Sequence, residues 1–235
     1  MTEMLAVQGL KARYGAAQIL DGISFAVRKG AVTALLGRNG AGKSTTFKAI
    51  LGLVQREGSV RFLGREIVAE ETYRIARAGL GYVPEDRRIF TELTVEENLE
   101  VGRQRPRPAA PHWTKGKIFA LFPNLAEMRQ RLGGAISGGE QQMLTIGRTL
   151  MGNPQLLMLD EPSEGLAPRI VERMARAILD LKQEGLSLLV SEQNLHFAQF
   201  IADEAVILER GVVRYAGTLE DLRSRPDVRD AYLAV

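Results

Sequence analysis

The sequence contains no cysteine, which excludes a disulfide framework, a thiol nucleophile and a thiolate metal site. No apolar run approaches the roughly 20 residues that span a bilayer. The first residues also lack the basic-then-apolar pattern of a secretory signal. We therefore expect a protein of a reducing compartment that acts at a membrane, if it does, through a partner.

Basic residues are unevenly distributed. The net charge of the 235 residues is +3, yet residues 101–135 hold one acid, Glu127, against seven cations: Arg103, Arg105, Arg107, Lys115, Lys117, Arg129 and Arg131. Such a segment suits contact with nucleic acid or anionic headgroups, or is a solvated face. We favour the solvated face.

Three short apolar runs, residues 31–36, 156–159 and 186–190, predict strands buried on both faces of a parallel sheet. A helical pattern begins at Pro168 and ends at Gly185. This alternation predicts an α/β core with a mostly parallel sheet. Residues 4–10 and 19–27, separated near Gly15, predict a small N-terminal antiparallel sheet.

The middle of the chain differs from this core. Residues 103–111 combine three prolines with alternating arginines and predict an exposed loop. Helices are expected at residues 95–101 and 116–131, and a short one at 227–233. We predict one domain over residues 1–235, with a helical lobe inserted at about residues 85–155.

The strongest motif, GRNGAGKST at residues 37–45, fits G-x-x-x-x-G-K-[ST] between the strand 31–36 and a helix at 44–51. Its backbone N–H groups can cradle phosphates at the helix N-terminus. Lys43 would reach the β- and γ-phosphates, and Ser44 would offer its hydroxyl to Mg²⁺. The predicted nucleotide-binding residues are Gly37, Arg38, Asn39, Gly40, Ala41, Gly42, Lys43, Ser44 and Thr45.

Two carboxylates, Asp160 and Glu161, end the buried strand 156–159. In combination with the phosphate loop, they predict a metal carboxylate and a residue that polarises the attacking water. Without that loop, an acidic pair after a strand is an ordinary surface turn.

The segment ISGGEQQ at residues 136–142 distinguishes among the families of ATPases that share a phosphate loop and a metal carboxylate. Ser137, Gly138, Gly139 and Glu140 precede or begin an expected helix at 140–151, where free N–H groups form a second anion site. The segment resembles the signature of ABC ATPases. The resemblance implies that it contacts the γ-phosphate held by a second subunit, so that a dimer has two composite sites.

Other matches extend the resemblance over essentially the whole chain. Tyr14 matches the aromatic residue that stacks on adenine, although a strand tyrosine packed on its sheet is the alternative. Residues 163–166 match the D-loop. Glu85 replaces the usual glutamine and would lie near Mg²⁺. Gln193 replaces the switch histidine and can donate its amide; His196 is the less favoured choice.

The segments VPE, RRIF, LTVEENL, SEGLAP and EQN and the ending VRDAYL resemble the shorter ATPase subunit of branched-chain amino acid importers. Ser191 is interpreted as an insertion that shifts the register of Gln193. The resemblance implies ATP and Mg²⁺ as cofactors and a location on the cytoplasmic face of the cell membrane. It also implies a second ABC ATPase subunit, a transmembrane permease and, indirectly, a solute-binding protein; no nucleic acid is expected.

Several functional alternatives stay open from the sequence. Related importers carry urea or amides, and an exporter would use the same motor. A non-transport ABC ATPase would contact nucleic acid or ribosomes through residues 101–135, but those types need tandem cores or coiled coils. A regulatory module without hydrolysis would fit Gln193, but not Glu161.

Overall fold

The computed structural model describes residues 2–108 and 110–232. The strands in these residues are β1 Glu3–Tyr14, β2 Ala17–Arg28, β3 Val32–Leu36, β4 Gln55–Phe62, β5 Arg65–Glu66, β6 Leu80–Val83, β7 Leu156–Asp160, β8 Ser187–Glu192, β9 Glu204–Glu209 and β10 Val212–Thr218. The helices are α1 Lys43–Ile50, α2 Thr72–Ala78, α3 Val95–Val101, α4 Lys115–Leu121, α5 Pro123–Glu127, α6 Gly138–Leu150, α7 Pro168–Gln183, α8 Leu195–Ile201, α9 Leu219–Arg223 and α10 Pro226–Tyr232. Among the described residues, no helix is both long and apolar enough to cross a membrane.

A six-stranded sheet of order β10-β9-β3-β8-β7-β6 forms the centre of the fold. All neighbouring pairs from β9 to β6 are parallel, and β10 is antiparallel to β9. Every residue of β3, β7 and β8 is buried, as expected for strands covered on both faces. The predicted α/β core is confirmed, and the carboxyl ends of its central strands share one edge.

The second sheet has the order β2-β1-β4-β5 and is antiparallel. Its apolar face packs over α1, where Leu5, Leu20 and Phe47 belong to one buried cluster. The predicted N-terminal sheet is therefore confirmed, with strands longer than the apolar runs indicated. The packing fixes the end of β1, and with it Tyr14, beside the start of α1.

The helices α3 to α6 lie between β6 and β7 in the chain. The prediction of one helix over residues 116–131 is wrong, because α4 ends at Leu121 and Phe122 leaves the helical region (φ −126°, ψ 76°). Pro123 follows it and disfavours the α conformation at the preceding residue. At the C-terminus, α10 matches the predicted helix at 227–233 except for Leu233, which lies outside the described residues.

The basic segment at residues 101–135 is partly neutralised by acids outside it. Three of its cations form ion pairs: Arg103 with Glu100, Lys115 with Glu96 and Glu100, and Lys117 with Glu184. Arg107 instead donates to backbone carbonyls, including that of Asn153 at 2.9 Å. These contacts favour the interpretation as a structural, solvated face.

Candidate active site

The loop between β3 and α1 passes close to neighbouring atoms at two of its glycines, Gly37 and Gly42. A Cβ on Gly37 would lie 2.5 Å from the carbonyl oxygen of Leu208. Gly42 has a φ of 109°, and a Cβ there would lie 2.8 Å from Leu20 Cδ2. Side chains at these positions would push the loop away from its supports. The loop thus keeps its backbone N–H groups at the start of α1, where an anion is stabilised.

Lys43, the first residue of α1, is buried with an exposure of 4%. Its Nζ donates to the carbonyl of Gly37 at 2.8 Å and lies 3.0 Å from Glu161 Oε1. Burial alone would raise the pKa of Glu161. Hydrogen bonds from Glu164 and Lys43, together with the lysine charge, outweigh burial and lower that pKa. Glu161 is thereby kept ionised next to the loop.

Asp160, at the end of β7, accepts hydrogen bonds on both carboxylate oxygens. Its Oδ1 accepts from Ser44 Oγ at 3.1 Å and from Ser191 Oγ at 2.6 Å. Its Oδ2 accepts from Tyr82 Oη at 3.0 Å. Burial and the Asp160 charge raise the pKa of Tyr82, so this phenol stays a donor. A hydroxyl and a carboxylate are oxygen ligands of the kind Mg²⁺ prefers, and Ser44 and Asp160 fit that ion.

Glu164 adds a second carboxyl group beside Glu161. Its hydrogen bond to Glu161, partial burial and the charges of Glu161 and Glu85 raise the pKa of Glu164 to about 7. Two neighbouring carboxyls that share a proton resist simultaneous ionisation. The site therefore carries less negative charge near neutral pH than its number of acids suggests.

A cleft of about 470 Å³ lies at the carboxyl edge of the central sheet. Its lining comes from the antiparallel sheet, the phosphate loop, α1 and the loops after β6 and β7: Tyr14, Ile19, Asn39, Gly40, Gly42, Lys43, Ser44, Thr45, Glu85, Glu161 and Glu164. Tyr14 keeps 45% of its surface exposed, which leaves the ring free to stack on a planar ligand. Arg38 and Ala41 line an adjacent cavity with Asn39 and Gly40.

Gln193 is exposed between β8 and α8 and is not among the described residues that line the cleft. His196 is exposed on α8. β8 pairs with β3 and β7 without a register shift through Ser191. The expected insertion therefore produces no bulge in the strand, and Gln193 directly follows its end.

The ISGGEQQ segment begins α6. Ser137 is exposed and caps the helix, with its N–H donating to Glu140 Oε2 at 2.8 Å, a capping box. Glu140 thus has a local structural role. A Cβ on Gly139 would lie 2.9 Å from Ile170 Cγ2, so this glycine allows α6 to approach α7. Ser137, Gly138, Gly139 and Glu140 are not among the described residues that line the cleft.

Sequence reasoning missed three polar residues of this site: Tyr82, Ser191 and Glu164. Each lies within a segment already recognised, next to VPE, EQN or the D-loop match. Tyr82 and Ser191 are 78 and 31 residues from their partner Asp160, so no spacing rule connects them. Glu164 is only three residues from its partner Glu161. The signal available was a hydroxyl or carboxyl group placed at, or a few residues after, the carboxyl end of a strand.

The comparisons with known proteins agree with this geometry. Residues 20–164 match the family model described as ABC transporter. The chain is 43% identical to the high-affinity branched-chain amino acid transport ATP-binding protein BraG of Pseudomonas aeruginosa, over 98% of this chain and 99% of BraG. It is 33% identical to the lipopolysaccharide export system ATP-binding protein LptB of Haemophilus influenzae, covering 98% and 97%.

Among solved structures, the ADP conformation of an ATP-binding cassette from an ABC transporter superimposes with a TM-score of 0.82. It is 28% identical, and 98% of each chain is covered. The phosphate loop, the paired carboxylates and the ISGGEQQ helix all fall within this shared fold. The chain belongs to the ABC transporter family and is one of its ATPases.

Proposed function

We propose that this ATPase powers the uptake of branched-chain or other hydrophobic amino acids through a membrane permease. The assignment as the ATP-hydrolysing subunit rests on one observation. Four residues converge within hydrogen-bonding distance at one cleft: Lys43, Ser44, Asp160 and Glu161. The cargo class rests on the similarity to BraG, whose name states that transport.

The geometry suggests how the residues act on ATP. The loop N–H groups and Lys43 would bind the phosphates, and Lys43 would exchange its contacts with Gly37 O and Glu161 for phosphate oxygens. Ser44 and Asp160 would hold Mg²⁺, which neutralises phosphate charge when bound, and Glu85 lies in the same cleft. Glu161, released from Lys43, would orient the attacking water and accept its proton. Tyr14 would stack on adenine.

The assembly follows from the separation of the two anion sites. Ser137, Gly138 and Gly139 would close over the nucleotide bound to a second ABC ATPase subunit, identical or homologous. The helices between β6 and β7 would form the helical subdomain, about residues 85–155, of one ATPase domain. A transmembrane permease would place the chain peripherally at the cytoplasmic face of the membrane, and a solute-binding protein would act indirectly.

Export and urea or amide uptake are the main alternatives. LptB, at 33% identity, serves an export system by its name, whereas BraG at 43% serves amino acid transport. The difference in identity favours amino acid uptake. The internal ion pairs of residues 101–135 argue against nucleic acid as the partner. Glu161, ionised beside Lys43, argues against a module that binds without hydrolysis.

The test is ATP hydrolysis and solute uptake by the assembled transporter in proteoliposomes. Lys43→Ala should abolish both, and Glu161→Gln should keep nucleotide binding while hydrolysis falls at least ~100-fold, as expected for a lost general base. Glu57→Gln, at an exposed residue of β4, is the matched control and should behave as wild type. Hydrolysis that survives Glu161→Gln would refute the assignment of the base.

The cargo is tested separately in the same vesicles. Leucine, isoleucine and valine should be taken up with ATP inside, whereas urea and short amides should not compete. Uptake of an amide but no amino acid would reassign the cargo and leave the motor assignment intact.

A further inference from the structure

Ser191 contacts both carboxylate residues of the site. It is fully buried in β8, and its Cα pairs with that of Asp160. Its Oγ donates to Asp160 Oδ1 at 2.6 Å and accepts from the N–H of Glu161 at 3.0 Å. The donor and one acceptor position of the hydroxyl are therefore both used, each on a different neighbour. A hydroxyl buried in this way has little freedom to serve another role.

The carboxylate of Asp160 is held from both sides of its strand. Ser191 reaches it from β8, and Tyr82 reaches the other oxygen from β6. The Tyr82 ring is itself fixed, edge-on to the buried Phe47 at a centroid distance of 6.1 Å. Hydrogen bonds to a charged acceptor are short and strong. Together they fix the direction in which Asp160 faces Ser44.

Glu161 needs support of a different kind. Its φ is 47°, a left-handed backbone conformation that is unfavourable for a residue with a side chain. Its N–H is directed at Ser191, toward both the hydroxyl and the carbonyl at 3.2 Å. With the backbone held in this way, Glu161 Oε1 lies 3.0 Å from Lys43 Nζ. The same serine thus supports the metal carboxylate and the base.

We propose that Ser191, assisted by Tyr82, is a positioning residue that pre-orients Asp160 toward Ser44 for Mg²⁺-nucleotide. The inference rests on the proposed function, because it assigns to Asp160 the role of metal ligand. It adds a residue that does not touch the nucleotide and that acts through Asp160. Groups that orient a metal ligand typically change metal affinity about 10–100-fold when removed.

The experiment compares Ser191→Thr with Ser191→Val in the purified chain. Threonine and valine have nearly the same shape, and threonine keeps the hydroxyl. Binding of a fluorescent ADP is measured with excess Mg²⁺ and again with EDTA, and the ratio of the two affinities is the readout. We expect Ser191→Val to lower that ratio about tenfold without changing the affinity in EDTA, whereas Ser191→Thr keeps it.

Ser187→Val is the matched control. Ser187 lies on the same face of β8, is equally buried, and accepts a hydrogen bond from Gly30 N at 2.9 Å at the opposite end of the strand. Its replacement should lower the thermal midpoint without changing the Mg²⁺ ratio. Should Ser191→Val fail to fold, Tyr82→Phe tests the same orientation through the other carboxylate oxygen and should also lower the ratio.

The outcomes separate the two proposals. An unchanged ratio in Ser191→Val, or equal losses with and without Mg²⁺, would overturn the positioning role while nucleotide binding by wild type still supports the ATPase. Wild-type protein that binds no nucleotide in either condition would overturn both.

Discussion

Arg148 of α6 contacts the loop between β6 and α3, which contains Glu85. We expect that replacing Arg148 makes this loop detach more often from α6. Arg148 Nη2 donates to the carbonyl of Arg88 at 2.6 Å, and its guanidinium lies 5.0 Å from the centroid of the Phe90 ring. Arg87 and Arg88 have φ values of 62° and 50°, which residues with side chains adopt at a cost of roughly 1–2 kcal/mol each. The turn is therefore held against its own conformational preference.

The magnitude follows from the contacts that Arg148→Gln removes. A hydrogen bond from a charged donor contributes about 1.5–3 kcal/mol, and a cation–π contact at an exposed site about 0.5–1 kcal/mol. Because the guanidinium is half-buried, we expect a loss near the lower end, about 2 kcal/mol. Since about 1.4 kcal/mol corresponds to a factor of ten, the released turn should become about 30-fold more populated.

Limited trypsin digestion measures this population directly, because trypsin cuts after Arg87 and Arg88. At low protease, cleavage is slow relative to reclosing and its rate reports the open fraction. Arg129→Gln is the control, since Arg129 makes a similar contact with the Phe119 ring at 5.2 Å and should leave cleavage after Arg88 unchanged. A wild-type cleavage rate in the Arg148 variant would refute the role of these contacts.

Three further predictions concern stability. Gly139→Ala should lower the free energy of unfolding in urea by roughly 1–3 kcal/mol through overpacking, and Ile170→Ala should partly restore it if their contact is the cause. Burial raises the pKa of Glu192 to about 7 from 4.5. Between pH 4.5 and about 7 the folded state therefore binds more protons than the unfolded state. The free energy of unfolding should fall by about 3 kcal/mol as the pH rises through this range. Glu192→Gln should make the free energy of unfolding depend less on pH there. Lys43→Met leaves the buried Glu161 carboxylate without its cation and should lower the free energy of unfolding by about 3–5 kcal/mol near neutral pH. An equal loss in the Glu161→Gln background would contradict the pairing of Lys43 with Glu161.

The phosphate loop and the buried strands were predictable because their causes are local. The run at 31–36 precedes GRNGAGKST, and strand, glycine turn and helix start follow one another along the chain. The start of α6 at ISGGEQQ is equally local, since a capping box needs residues only three positions apart. The break at Phe122 was also within reach, because Pro123 carried the signal.

The partners of Asp160 could not be predicted in this way. Tyr82 and Ser191 come from strands that are 78 and 31 residues away, and the interpretation of Ser191 as an insertion hid its role. Likewise, the charges of residues 101–135 looked unbalanced until Glu96 and Glu184 were found beside them.

The sequence by itself determined the family, the backbone of the phosphate loop and the identity of the two carboxylates. The tertiary structure decided which hydroxyls hold Asp160 and what keeps the left-handed Glu161 in place. The physical reason is that the register of parallel strands is set by burying both faces of the sheet at once. That cooperative packing brings Tyr82, Asp160 and Ser191 side by side, and no local pattern in the chain encodes it.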